Sequence, residues 1–145
     1  MTKQKNILMQ KWIPYLLLFL AVAGTAVYMT YNKPHESAAD GKADFTTSPI
    51  GIVREYLDSE EAANDKYLGK LVVVQGTIRT VVLNPNSATV TMETGDPMTS
   101  VLCEFETPAG LESLKAGDKV AIKGFCSGML GGDMMTDVIL NRCAL

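Results

Sequence analysis

Histidine occurs once in this chain of 145 residues, tryptophan once, and cysteine nowhere before Cys103. Each scarcity removes a class of chemistry. The single histidine, His35, lies in a polar stretch rich in small residues, so no Ser/His/Asp relay can be built around it. The region beyond it has no histidine to ligate a metal and no CxxC pair, which excludes the zinc-ribbon and thioredoxin patterns. No glycine-rich phosphate loop occurs, and no carboxylate pair stands at a recognisable catalytic spacing. The acidic run DSEEAAND, Asp58 to Asp65, reads as a solvated helix face without a catalytic role. These gaps leave non-catalytic binding as the expectation, with no metal and no cofactor.

Acidic residues are also missing from the N-terminus. Up to residue 32 there are three lysines, Lys3, Lys5 and Lys11, and no acid. Trp12 to Tyr31 is a run of 20 residues without a charge, which as a helix would span about 30 Å, the thickness of a bilayer's hydrocarbon core. Trp12, Tyr15, Tyr28 and Tyr31 suit the two interfaces. The lysines would hold the leader in the cytosol and export all that follows. A cleaved signal peptide, with Ala21-Val22-Ala23 as its small-residue site, would export the same domain. With no early cysteine, a lipid-modified N-terminus is set aside. The expected organisation is a basic leader over 1–11, a transmembrane anchor over 12–31 in the inner membrane, a polar linker over 32–48 and an extracytoplasmic domain over 49–145. Its expected partners are the bilayer and an envelope protein or oligosaccharide.

The domain reads as mainly β. Ser48-Pro49 opens a helix expected to run to about Asp65, with Gly69 as its stop. Leu71–Leu83 is a long strand in which Gly76 suggests a bend or bulge. Ala88–Glu93 and Ser100–Glu106 alternate as two more strands, the second with Val101, Cys103 and Phe105 inward. A short helix is expected in TPAGLESLKAGD, Thr107 to Asp118, followed by strands Asp118–Cys126 and Thr136–Cys143. Three strands, a short helix and two strands describe a five-stranded Greek-key barrel of the OB-fold type.

Tyr67-x-Gly69-Lys70, Gly76, Val101-x-Cys103-x-Phe105, Gly117-x-x-Val120, Gly124-x-Cys126-x-Gly128 and Leu140-x-x-Cys143 resemble the tRNA_anti-like family of OB-fold domains, found in bacterial envelope proteins. The likeness covers about residue 49 to the end. It implies the fold and the envelope setting, and brings no ligand or catalytic residues.

Three cysteines outside the cytosol allow three pairings, each leaving one free thiol. Cys126–Cys143 is the favoured disulfide, with Cys103 as a buried small hydrophobe. The alternative is a soft-metal site for Cu(I), drawing on Cys126, Cys143, Met129, Met134 and Met135.

For a ligand, the outer face of the first three strands offers Gln75, Thr77, Arg79, Thr89 and Thr91, flanked by loops Asn84–Ser87 and Ser127–Asp133. Lys119 and Lys123 are the regular basic pair on strand four. From residue 46 onward eight basic side chains face thirteen acidic ones, a net of −5. An acidic domain without outward aromatics on those strands argues against single-stranded nucleic acid, the ligand that fold analogy would suggest.

Overall fold

The computed structural model describes residues 15–16, 18–28, 38–131 and 135–145, in two compact units, Met1–His35 and Glu36–Leu145. In the first unit the described residues between 15 and 28 are helical. Among the described residues no helix is long and apolar enough to cross a membrane. Residues 12–14, 17 and 29–31 of the expected anchor lie outside the described residues, as do the leader 1–11 and residues 32–37 of the expected linker, His35 among them.

The second unit is a closed barrel. Its strands are β1 (Phe45–Thr47), β2 (Leu71–Asn84), β3 (Ser87–Met92), β4 (Thr99–Phe105), β5 (Lys119–Gly131) and β6 (Thr136–Ala144). Their order is β1-β2-β3-β4-β6-β5, with β2 pairing β5 to close the barrel. One strand closes it because β2 changes partner halfway. Residues 71–77 pair with β5, and residues 78–84 with β3. Inside lie Val72, Val74, Ile78, Val90, Met92, Val101, Cys103, Ile122, Val138 and Leu140, all buried. These are the alternate positions of each strand, as the pleat requires. The five barrel strands, β2 to β6, and their order agree with the expected Greek key.

Four local expectations fail. The first concerns β1, which forms within the expected linker. It runs parallel to β2, pairing Phe45 with Val72 and Thr47 with Val74. Those β2 residues sit opposite β5 and would otherwise present an open edge, so three residues of β1 cover it.

The second is the helix, which is two helices, α1 (Pro49–Asp58) and α2 (Glu60–Tyr67). Ser48 caps α1 as expected, its Oγ accepting from Gly51 N at 3.0 Å. Ser59 then takes an extended conformation (φ −162°, ψ 105°) and caps α2, accepting from Ala62 N at 3.3 Å. A serine there competes with helix continuation by offering its own cap. Glu55 binds the two helices together, accepting from Lys66 Nζ at 2.6 Å and Tyr67 Oη at 3.0 Å. The Lys66 hydrogen bond lowers the Glu55 pKa and, in return, the Lys66 pKa rises.

Third, Thr107–Asp118 is a chain of turns. The N–H groups of Leu111, Leu114 and Asp118 each donate three residues back, to Pro108, Leu111 and Lys115, at 3.1 Å. Gly110 at φ 85° interrupts any helix, because that left-handed conformation ends α-helical hydrogen bonding. Leu111 is nonetheless buried and packs into the core.

Fourth, of the bend or bulge expected at Gly76, the bulge does not form there. Gly76 pairs regularly with Val120. A Cβ there would stand 2.5 Å from Pro49 Cγ, so the glycine makes room for the start of α1. The bulge falls at Arg79, between the Ile78–Met92 and Thr80–Thr91 pairs. Through Ile52, Val53 and Tyr56, α1 then packs against β2, β4 and β6.

Candidate functional site

The outer face of β2, β3 and β4 is built by alternation. With Ala88, Val90 and Met92 buried, Thr89 and Thr91 must point outward. Thr89 lies between Val82 and Glu104, and Thr91 between Thr80 and Leu102. Val82, Thr80 and Glu104 are exposed, while Thr89, Thr91 and Leu102 are half-buried. These six residues include no cation and no aromatic ring. The β2–β3 hairpin flanks this face at one end, with exposed Leu83 and Asn84. The β5–β6 hairpin, with exposed Leu130 and Met135, flanks the other. Residues 132–134 of that hairpin lie outside the described residues.

Arg79 is the cation nearest this face along β2, and it is already paired. Its Nε and Nη2 donate to the two Glu93 carboxylate oxygens at 3.0 and 2.8 Å, and Nη2 donates also to Asp96 O at 2.9 Å. A bidentate fork of this kind fixes the guanidinium. The Arg79 hydrogen bonds pull the Glu93 pKa down to about 2, helped by the backbone N–H of Gly95. A ligand would have to compete with that carboxylate.

Gln75, Thr77 and Lys119 come together elsewhere. The Thr77–Lys119 and Gln75–Ala121 pairs set them side by side on the outer face of β2 and β5. With Gly76, Val120 and Ala121 they line a concavity of about 460 Å³. Lys123 shares that strand face but is occupied, donating to Ala39 O and Gly41 O at 2.9 Å each. It holds down the segment before β1, which also buries Leu71 under Gly41. The expected site residues therefore split into three sets: Thr89 with Thr91, Gln75 with Thr77 and Lys119, and the structurally engaged Arg79 and Lys123.

Sequence reading overlooked Phe125 and Arg142. Both are half-buried, and the Arg142 guanidinium stacks on the Phe125 ring at 4.3 Å from its centroid. The signal was present in the alternation Lys119, Ala121, Lys123, Phe125, which puts the ring on the outer face of β5. Arg142 could not be placed because it sits on a bulge, at φ 52°.

That bulge also corrects the disulfide. All three cysteines are free. Cys126 points inward, its Sγ 3.4 Å from Tyr56 Oη, and is opposite Leu140 of β6 rather than Cys143. Burial first, and the Cys126 contact second, push the Tyr56 pKa upward. β6 has one extra residue between the Phe125–Asn141 and Lys123–Ala144 pairs. The extra residue turns Arg142 outward and brings Cys143 inward against the core, beside Leu140, the register partner of Cys103. The expected Cys126–Cys143 bond therefore does not form. Among the described residues the Cu(I) set does not assemble either: Met129 packs against the core and Met135 is exposed, while Met134 lies outside the described residues. Among the described residues no group of three His, Cys, Asp or Glu side chains could hold a metal ion.

The tRNA_anti-like family model matches residues 1–144. No functionally curated protein matches the sequence. Among solved structures, the fold is similar to a lipoprotein from Klebsiella pneumoniae subsp. pneumoniae MGH 78578 to which nucleic-acid binding has been ascribed. That likeness has a TM-score of 0.53 at 18% identity, covering 77% of this chain and 98% of that one. Weaker likenesses run to two synthetases. The protein assigned as an aspartyl-tRNA synthetase in Leishmania major Friedlin matches with TM-score 0.44 at 9% identity, over 83% of this chain and 25% of that one. The aspartyl-tRNA synthetase of Entamoeba histolytica matches with TM-score 0.40 at 11% identity, over 75% of this chain and 25% of that one.

Proposed function

The chain belongs to the tRNA_anti-like family, and from that premise we propose that it is a non-catalytic binding module. Its OB barrel takes an uncharged, hydrogen-bonding chain, either a peptide or an envelope oligosaccharide. One observation carries this reading: the outer face around Thr89 and Thr91 offers hydroxyls, apolar groups and the single carboxylate of Glu104, with no free cation and no ring. Such a surface has nothing to neutralise phosphate and nothing on which to stack a base. Hydroxyls suit sugars and peptides. We assign no catalytic residue.

The module works outside the cytosol, held at the inner membrane by residues 12–31. The lysine-bearing leader and the uncharged run support that placement. Extraction of membranes with alkaline carbonate tests it. An anchored chain stays in the pellet, and release into the supernatant sinks the anchor.

A second reading is single-stranded nucleic acid on a different face. The Phe125–Arg142 stack and Lys119 share the outer side of β5, and the Klebsiella lipoprotein of similar fold is the precedent. Fluorescence anisotropy of a labelled single strand with the full chain separates the two. Our reading expects flat traces at about 50 mM salt; binding that weakens steeply towards about 200 mM would replace it with the second.

A further inference from the structure

The geometry points to a redox-labile thiol pair: we propose that Cys103 and Cys143 close into a disulfide between β4 and β6 when met by a disulfide oxidant. The two strands are parallel neighbours, and Cys103 is paired in register with Leu140. Cys143 lies three residues beyond. The left-handed turn at Arg142 folds its side chain back, so that Sγ donates to Leu140 O at 3.3 Å. Because Leu140 is the register partner of Cys103, the same turn brings Cys143 alongside the Cys103 thiol. Gly124 makes the space: a Cβ there would stand 2.5 Å from the Cys143 sulfur. Neighbouring strands place side chains within the range a disulfide spans.

The two thiols differ in their access. Cys103 is fully buried, and the neighbouring Cys143 thiol, together with burial, holds it protonated. Cys143 is partly exposed and packs only at the edge of the core. Cys143 is therefore the attacking group. Taking glutathione disulfide as oxidant, the Cys143 sulfur bonds to one glutathione sulfur, breaking the S–S bond and expelling the first glutathione. The Cys103 sulfur then attacks Cys143 Sγ and expels the second. The two protein thiols lose two electrons to the reagent, and their two protons end on the two glutathione thiols. Cys126 has no part, because its thiol is committed to Tyr56.

The test is thiol counting and peptide mapping of the full chain, unfolded after incubation with glutathione disulfide. From three free thiols the protein should fall to one, with peptides holding Cys103 and Cys143 linked. The Cys103→Ser variant should stop at a glutathione adduct on Cys143. Three thiols retained, a Cys126 linkage, or an adduct that persists on wild-type Cys143 would each overturn the proposal. Since Cys103→Ser alters the core, the wild-type map decides alone should that variant fail to fold.

Discussion

Replacing Gly76 with alanine tests how α1 is seated. The added Cβ would stand 2.5 Å from Pro49 Cγ, 2.7 Å from Pro49 Cδ and 3.3 Å from Met92 Cε. Methionine can swing its methyl away; the proline ring is rigid and belongs to the first turn of α1. The helix start must therefore move, at a cost of about 1–3 kcal/mol for overpacking. Alanine in a strand recovers about 0.5–1 kcal/mol relative to glycine. Taken at mid-range, the net loss expected is about 1 kcal/mol. At that size of loss, the midpoint of a small domain should fall by about 4–8 °C. Thermal unfolding followed by circular dichroism measures it. A double-mutant cycle with Pro49→Ala isolates the cause, since removing the ring should shrink the penalty by about 1 kcal/mol. An undiminished penalty in the Pro49→Ala background would refute the seating argument.

Other outcomes follow from the same structure. Leu111→Ala should cost about 2–5 kcal/mol in chemical denaturation, because Leu111 is buried among the core residues despite its turn setting. The exposed Leu130→Ala change should stay within about 0.5 kcal/mol. The Glu93 carboxyl, followed by NMR, should titrate near 2, with Arg79 as the cause. Because its folded pKa is depressed, its stabilising contribution is whole above about 4.5 and fades as pH falls towards 2; Arg79→Met should move the titration up towards the ordinary carboxylate range, with the Gly95 N–H still holding it below. Lys123→Met should free the segment around Ala39 and Gly41, seen as faster amide exchange at Asp44 and Leu71 with the barrel intact.

Much of the barrel was legible because its signal is alternation, a local property of each strand. Ala88/Val90/Met92 and Val101/Cys103/Phe105 are buried where their period places them. What escaped depends on contacts between distant residues. β1 exists because β2 leaves an edge uncovered, which no property of Phe45–Thr47 announces. The break at Ser59 depends on a conformational choice that a helical pattern running through it conceals. One extra residue in β6 exchanges Arg142 for Cys143 at the inward position, and a pairing of Cys126 with Cys143 that rests on both lying near strand ends does not register it. For the site, residue types were readable but engagement was not. Arg79 and Lys123 look free in the sequence and are held by Glu93 and by the Ala39 and Gly41 carbonyls. Gln75, Thr77 and Lys119 do meet, through the β2–β5 closure that makes the fold a barrel.

The most direct measurement is photo-crosslinking from a reactive side chain placed at Thr91 of the full chain in intact cells, with exposed Glu61 on α2 as the control position. The account predicts a discrete product from position 91 only, unaffected by nuclease and sensitive to protease or glycosidase. A product removed by nuclease, or equal yields from both positions, would contradict it.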